Sequence, residues 1–215
     1  KPPNDRLSFM FVRALLFLCL TLPGQADWPT FRGPTNDGHY PVASEGKAHG
    51  FPTEWSEDKN IVWKTPVTGR AWSTPVVMGN QVWVTNATPN GKKMYAVCLD
   101  KTTGKKVHDL LLFENADPEP LSNHVNGYGS CSPAIDADHV YIHFGSYGTT
   151  ALDRKTGQAV WERRDLPCQH FRGPGSSVVL HKNLVILSMD GVDEQYLVAL
   201  DRKTGKNVWR TERGT

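Results

Sequence analysis

The sequence has no surplus of charge of either sign: 24 Lys and Arg stand against 22 Asp and Glu in 215 residues. That balance excludes an acidic or basic disordered tail. Glycine, at 19 residues, is far below the one in three of a collagen repeat. Seven Trp, six Tyr and eight Phe are too many aromatics for a coiled coil. Long apolar runs are scarce, since the run from Ala14 to Leu22 falls short of the roughly 20 residues that span a bilayer. Cysteine is rare as well, and no two cysteines are adjacent. What remains is a globular chain, one domain by length, with many turn residues and many aromatics. That mixture favours β structure.

The first residues read as a leader. Met10-Phe11-Val12-Arg13 is a short basic start, the apolar run follows, and Gly24-Gln25-Ala26 offers small residues before Asp27. This is the pattern of a secretory signal peptide with cleavage before Asp27, and residues 1–9 read as upstream of a start at Met10. Without Lys1, Arg6, Arg13 and Asp5 the remainder has 21 basic and 21 acidic residues. The expectation is an exported chain, periplasmic or extracellular, with no stable membrane span after leader cleavage and no basic footprint for nucleic acid. Cys98, Cys131 and Cys168 remain, at intervals of 33 and 37 residues. An odd count at that spacing is neither a disulfide framework nor a zinc pattern, and a single bridge between any two stays open.

An internal repeat organises the rest. The segment Ala199-Leu200-Asp201-Arg202-Lys203-Thr204-Gly205-Lys206-Asn207-Val208-Trp209 closely repeats Ala151-Leu152-Asp153-Arg154-Lys155-Thr156-Gly157-Gln158-Ala159-Val160-Trp161. A degenerate earlier copy runs from Cys98 through Asp100 and Gly104 to His108. Each period also holds a Ser/Pro segment, a polar turn and a β-rich run, as in Ser73-Thr74-Pro75, Gly79-Asn80 and Gln81-Val82-Trp83-Val84-Thr85. About four short strands per period of 48 to 53 residues predict the blades of a β-propeller. Within the repeated segment, Asp153 and Asp201 are expected to accept backbone N–H bonds, and Gly157 and Gly205 to supply positive φ. Ala151 and Ala199 are small where strands approach, and Trp161 and Trp209 are expected to be largely buried between blades. Cys98 takes the Ala position as a small buried residue, and His108 in place of Trp implies weaker docking of that blade.

The Ala-x-Asp-x-x-Thr-Gly-x-x-x-Trp segment resembles the tryptophan-docking motif of pyrroloquinoline-quinone (PQQ) dehydrogenase-type propellers. The opening Asp27-Trp28-Pro29-Thr30-Phe31-Arg32-Gly33-Pro34 is similar to exported PQQ-like propeller proteins of the planctomycete type, a superfamily that includes BamB-like assembly factors. The resemblance implies an all-β fold, a β-propeller of four-stranded antiparallel blades with about three blades present. It implies a lead-in segment over 27–60 and blades over 61–215. Its docking residues are Asp100, Gly104, Ala151, Asp153, Thr156, Gly157, Trp161, Ala199, Asp201, Thr204, Gly205 and Trp209. Because Val208-Trp209-Arg210-Thr211 aligns with Val62-Trp63-Lys64-Thr65, the sequence is expected to be a fragment that stops as a fourth period begins.

Candidate chemistry is thin. Asp190-Gly191-Val192-Asp193-Glu194 is the densest acidic cluster; it could ligate a hard cation, but reads better as a hairpin loop with an Asp-Gly turn. Asp136-Ala137-Asp138 reads as a turn. His124, His139, His143, His170 and His181 keep no ligand spacing, and His139 and His143 on one strand would lie about 13 Å apart. Gly127-Tyr128-Gly129-Ser130 and Gly173-Pro174-Gly175-Ser176 are expected to let inner strands crowd around a channel. The preferred reading is a non-catalytic exported scaffold that binds a protein or glycan partner in the cell envelope. The alternative is a fragment of a PQQ-dependent dehydrogenase oxidising alcohols or sugars. PQQ with calcium enters by the resemblance alone, and no catalytic or metal residue is assigned.

Overall fold

In the computed structural model, residues 27–40, 51–121 and 126–214 are described. The leader expected over 1–26 and His124 lie outside the described residues. Twelve strands form three antiparallel sheets in strict sequence order. The first holds β1 (Val76–Met78), β2 (Gln81–Ala87), β3 (Lys93–Asp100) and β4 (Lys106–Glu114). The second holds β5 (Ala134–Ile135), β6 (His139–His143), β7 (Thr149–Asp153) and β8 (Ala159–Arg163). The third holds β9 (Val179–His181), β10 (Leu184–Asp190), β11 (Gln195–Asp201) and β12 (Asn207–Glu212). These are the blades of a partial propeller, and the described residues contain no helix.

The chain forms strands here because the blades stack face to face, and a strand covered on both sides is apolar on both faces; β10, in which every second residue is only partly buried, is covered on one side. In β3 the run from Ala96 to Leu99 is buried without a break, as is Thr149 to Leu152 in β7. Two clusters fill the spaces between successive blades. One is built on Trp83, Phe113, Ile142 and Phe144; the other on Tyr141, Trp161, Leu187 and Tyr196. Outer strands are far less covered, and β12 is exposed along its whole length.

The segment Asp27–Pro29 lies along the inner edges of the first two blades. Trp28 exchanges two hydrogen bonds with Val77, both 2.8 Å, and the Pro29 carbonyl accepts the Ile135 N–H at 2.9 Å. The Asp27 carboxylate accepts the Gly79 N–H at 2.8 Å. These bonds satisfy edge groups that would otherwise be open to other chains. Among the described residues no helix is long and apolar enough to cross a membrane.

Candidate functional site

The repeated turn has one geometry three times over. In each copy one carboxylate oxygen of Asp100, Asp153 or Asp201 accepts two backbone N–H groups and the hydroxyl of Thr103, Thr156 or Thr204, all at 2.7–3.1 Å. The N–H of Gly104, Gly157 or Gly205 then donates to the Asp carbonyl at 2.8 Å. The three glycines have φ of +70°, +74° and +69°, which explains glycine at this place. The hydrogen bonds hold all three carboxyls below their ordinary value, the Thr103, Thr156 and Thr204 contacts leading. These carboxylates therefore act as caps for turns.

Docking between blades uses the same turns. The Trp161 ring lies against Gly205, and its Nε1–H donates to the Arg202 carbonyl at 3.0 Å. Trp63 does the same to the first blade, lying on Gly104 and donating to the Lys101 carbonyl at 2.9 Å. Two residues further on, Arg163 donates to the Gly205 carbonyl at 2.6 Å and Thr65 to the Gly104 carbonyl at 2.5 Å. Ala151 and Ala199 stand directly across from Trp161 and Trp209 in register, and Cys98 across from His108, each just before a bulge. All three small residues are fully buried. Trp209 corrects the expectation of burial: it is 38% exposed, because no turn glycine stands against it among the described residues.

His108 occupies the docking position over Gly157 but does not complete it. By analogy its ring should reach the Arg154 carbonyl; Gln81 already donates to that oxygen at 2.8 Å. His108 Nε2 is left buried without a partner. A buried polar atom without a bond costs roughly 1–3 kcal/mol. Replacing it by an apolar ring should recover part of that, so His108→Phe is expected to raise stability by about 1 kcal/mol, read as a higher denaturant midpoint.

Two sets of contacts were not foreseen from the sequence. One is a relay at the inner strands: Thr74 N–H donates to Ser132 Oγ at 2.8 Å, and Ser132 N–H donates to Ser177 Oγ at 3.0 Å. The signal was a hydroxyl residue at the same place in each period. The other is an arginine clamp following the turn Asp. Arg154 donates to Gln81 Oε1, the Asp136 carbonyl and the Met78 carbonyl, while Arg202 pairs with Asp136 at 2.8 Å and covers the Tyr141 ring.

The remaining candidates resolve structurally. Asp190 to Glu194 form the β10–β11 hairpin loop, with Asp193 accepting the Gln169 and Glu194 N–H groups and Arg213 and Arg210 pairing with Asp190 and Glu194. Asp136 caps its turn through the Asp138 and His139 N–H groups. Cys98, Cys131 and Cys168 are all free and buried, and burial pushes each thiol up to about 12. Among the described residues no three His, Cys, Asp or Glu side chains converge as metal ligands. Gly127 and Gly129 do sit where strands crowd, against Trp72 and the Asn86 backbone, but nothing lies within 4 Å of a Cβ placed on Gly175.

His143 is fully buried with Nδ1 2.8 Å from Thr149 Oγ1, and burial lowers its pKa to about 3. His170, lowered in the same direction chiefly by burial, accepts the Ser146 N–H at 3.0 Å. His143 stays neutral in the fold and takes a proton once unfolded, and the lowered His170 acts in the same direction. Below the ordinary value near 6.5 the unfolded state binds more protons, so stability falls as pH drops from 6.5 toward 3. The expected result is a lower melting temperature at pH 5 than at pH 7.5, with a smaller difference in His143→Gln.

Gly175 opens onto a groove of about 610 Å³ with a mixed polar and apolar lining. Phe31, Arg32 and Asn36 of the N-terminal segment line it together with Trp72, Asn126 and Ser177. Phe31 is 52% exposed and Trp72 48% exposed. The groove therefore gathers the N-terminal segment and residues that lead into the inner strands of all three blades. The repeat relates Ser130, Gly175 and Ser177, which come from corresponding segments of successive periods, but it does not bring in Phe31, Arg32 or Asn36 of the N-terminal segment.

Solved structures share this architecture. A quinohemoprotein alcohol dehydrogenase from Comamonas testosteroni superposes with a TM-score of 0.62 at 21% identity over 88% of this chain. BamB from Moraxella catarrhalis does so with a TM-score of 0.52 at 21% identity over 73% of this chain. The chain spans 27% and 42% of those two proteins, and at such identity the likeness is one of fold. No curated protein sequence matches the chain significantly. A family model described as "Outer membrane protein assembly factor BamB" matches residues 42–165, more than half of the chain. With its repeated docking turns and stacked four-stranded blades, this chain belongs to that BamB-type family of PQQ-like repeat proteins.

Proposed function

We propose that this protein is an exported, non-catalytic propeller scaffold that binds a partner in the cell envelope through the groove lined by Phe31 and Trp72. The observation that carries this reading is the groove itself, where two half-exposed aromatic rings and uncommitted polar groups converge. Exposed aromatic surface rimmed by polar residues marks binding sites. The reactive side chains support the same view. Burial holds three thiols near 12 and His143 near 3, so at neutral pH none is a thiolate nucleophile or a poised general base. The family's description as an assembly factor of outer membrane proteins agrees with an envelope partner.

A PQQ-dependent alcohol or sugar dehydrogenase is the competing reading, because dehydrogenases of that fold superpose on the blades. A calcium ion beside a quinone requires several converging oxygen donors. Among the described residues no three His, Cys, Asp or Glu side chains converge, and no step is derived through that centre. The discriminating experiment titrates the protein with PQQ and calcium in a dye-coupled oxidation assay. It also places a photo-crosslinking residue at Phe31 in cells. The scaffold reading expects no oxidation above the blank and a discrete envelope adduct. Saturable, PQQ-dependent oxidation would replace it with the dehydrogenase.

A further inference from the structure

The groove's lining specifies the chemistry of its occupant. Its aromatic contribution is Trp72 and Phe31, both with about half their surface in water. Trp72 is held in place: its backbone N–H donates to the Gly129 carbonyl at 3.2 Å, and its six-membered ring lies where a Cβ on Gly127 would be. Its indole N–H makes no hydrogen bond within the described residues. Arg32 is the one charged side chain of the lining, and no Asp or Glu borders the groove. Its guanidinium donates once, to the Asp37 carbonyl at 3.0 Å, while the Asp37 carboxylate is engaged by Thr35, the His39 N–H and the His39 ring. The Asn36 side chain lies 2.9 Å from Thr30 Oγ1, whose single proton also faces the Gly33 carbonyl at 2.7 Å, so the Asn36 amide keeps at least one N–H for a ligand. Ser177 Oγ accepts the Ser132 N–H and keeps its own proton to donate.

We infer that the groove binds an oligosaccharide carrying a uronate pyranose ring, a conclusion that rests on the binding-scaffold reading above. A pyranose presents flat faces of weakly positive C–H groups that suit the negative faces of aromatic rings. Its ring hydroxyls match the free donors of Asn36, Ser177 and the Trp72 indole. The carboxylate matches the fork of Arg32, which is built for planar bidentate anions. At about 610 Å³ the groove has the size of a small-ligand site. The main-chain edges of Trp72, Val77 and Ile135 are paired with Gly129, Trp28 and Pro29, and the free edge of β9 beside Val179 is where an extended peptide would pair, which the decapeptide arm of the test addresses.

The test is calorimetric titration of the full chain with tri-galacturonate, and in parallel with neutral galactotriose. Saturable binding of the acidic sugar is expected, at least about tenfold tighter than the neutral one, because a desolvated Arg anchor carries much of such an interface. Arg32→Ala should abolish that preference, and Trp72→Ala should weaken both sugars by about tenfold. Phe31→Ala serves as the second stacking variant if Trp72→Ala lowers the melting midpoint. Equal affinity for the two sugars, or an unchanged preference in Arg32→Ala, would overturn the inference. So would binding only of a decapeptide of alternating apolar and polar residues. If neither sugar binds while the Phe31 crosslink still captures an envelope protein, the saccharide assignment fails and the scaffold reading stands. PQQ-dependent oxidation would instead remove the scaffold reading itself.

Discussion

Trp161→Ala is expected to destabilise the protein by about 3–5 kcal/mol, the range for deleting a large core aromatic. The residue is only 9% exposed and belongs to the cluster that joins the second and third blades. Three losses combine there. Removal of the ring leaves a void at the blade interface, where it lies against Gly205 and beside Tyr141. The Arg202 carbonyl loses the indole N–H that it accepts at 3.0 Å. The clamp of Arg202 on Asp136 and Tyr141 then loses its backing, because its own backbone is what the indole holds. Urea unfolding followed by far-ultraviolet dichroism measures this as a lower midpoint at similar slope. A midpoint equal to wild type would show that the ring does not join the blades. Trp209→Ala should cost much less, since its ring is 38% exposed and has no turn beneath it among the described residues.

The contrast between those two tryptophans shows what the sequence could and could not convey. The repeat made the blade, the capped turn and the docking position legible, since Asp, Thr, Gly and Trp each answer a local need at fixed spacing. Burial of Trp209 was not legible, because it depends on what stands opposite and not on the residue itself. The same limit applies to His108. A His at a Trp position suggests weak docking, but the reason is that Gln81, from a different strand, has taken the carbonyl at Arg154. The relay through Ser132 and Ser177 uses backbone donors, which carry no residue identity, so only the hydroxyl half of each bond leaves a trace in the sequence. The groove is the extreme case. Ser177 lies in a segment that the repeat made legible, but its convergence with Phe31 of the N-terminal segment depends on blade stacking, which no one-dimensional pattern conveys.

Gly205→Ala is expected to be more damaging than Gly157→Ala, although both glycines hold the same place in the repeat. The backbone cost is shared: φ is +69° at one and +74° at the other, and a non-glycine residue in that left-handed region costs about 1–2 kcal/mol. The neighbours differ. A Cβ on Gly205 would sit 2.7 Å from two carbons of the Trp161 ring, well inside contact distance, so the indole must move. That displacement also pulls Nε1 off the Arg202 carbonyl and disturbs the Arg163 contact with the Gly205 carbonyl. A Cβ on Gly157 meets His108 and Leu110 at 3.1 Å, and the His108 ring is smaller and makes no docking bond that a small shift would break. Gly157→Ala should therefore show little beyond the backbone cost, while Gly205→Ala should approach the loss in Trp161→Ala. The double variant Gly205→Ala, Trp161→Ala should fall well short of the sum of the two single losses, because without the ring the new methyl has nothing to strike. Strict additivity in that cycle would mean that glycine is required here by its turn alone and that the indole does not rest on it.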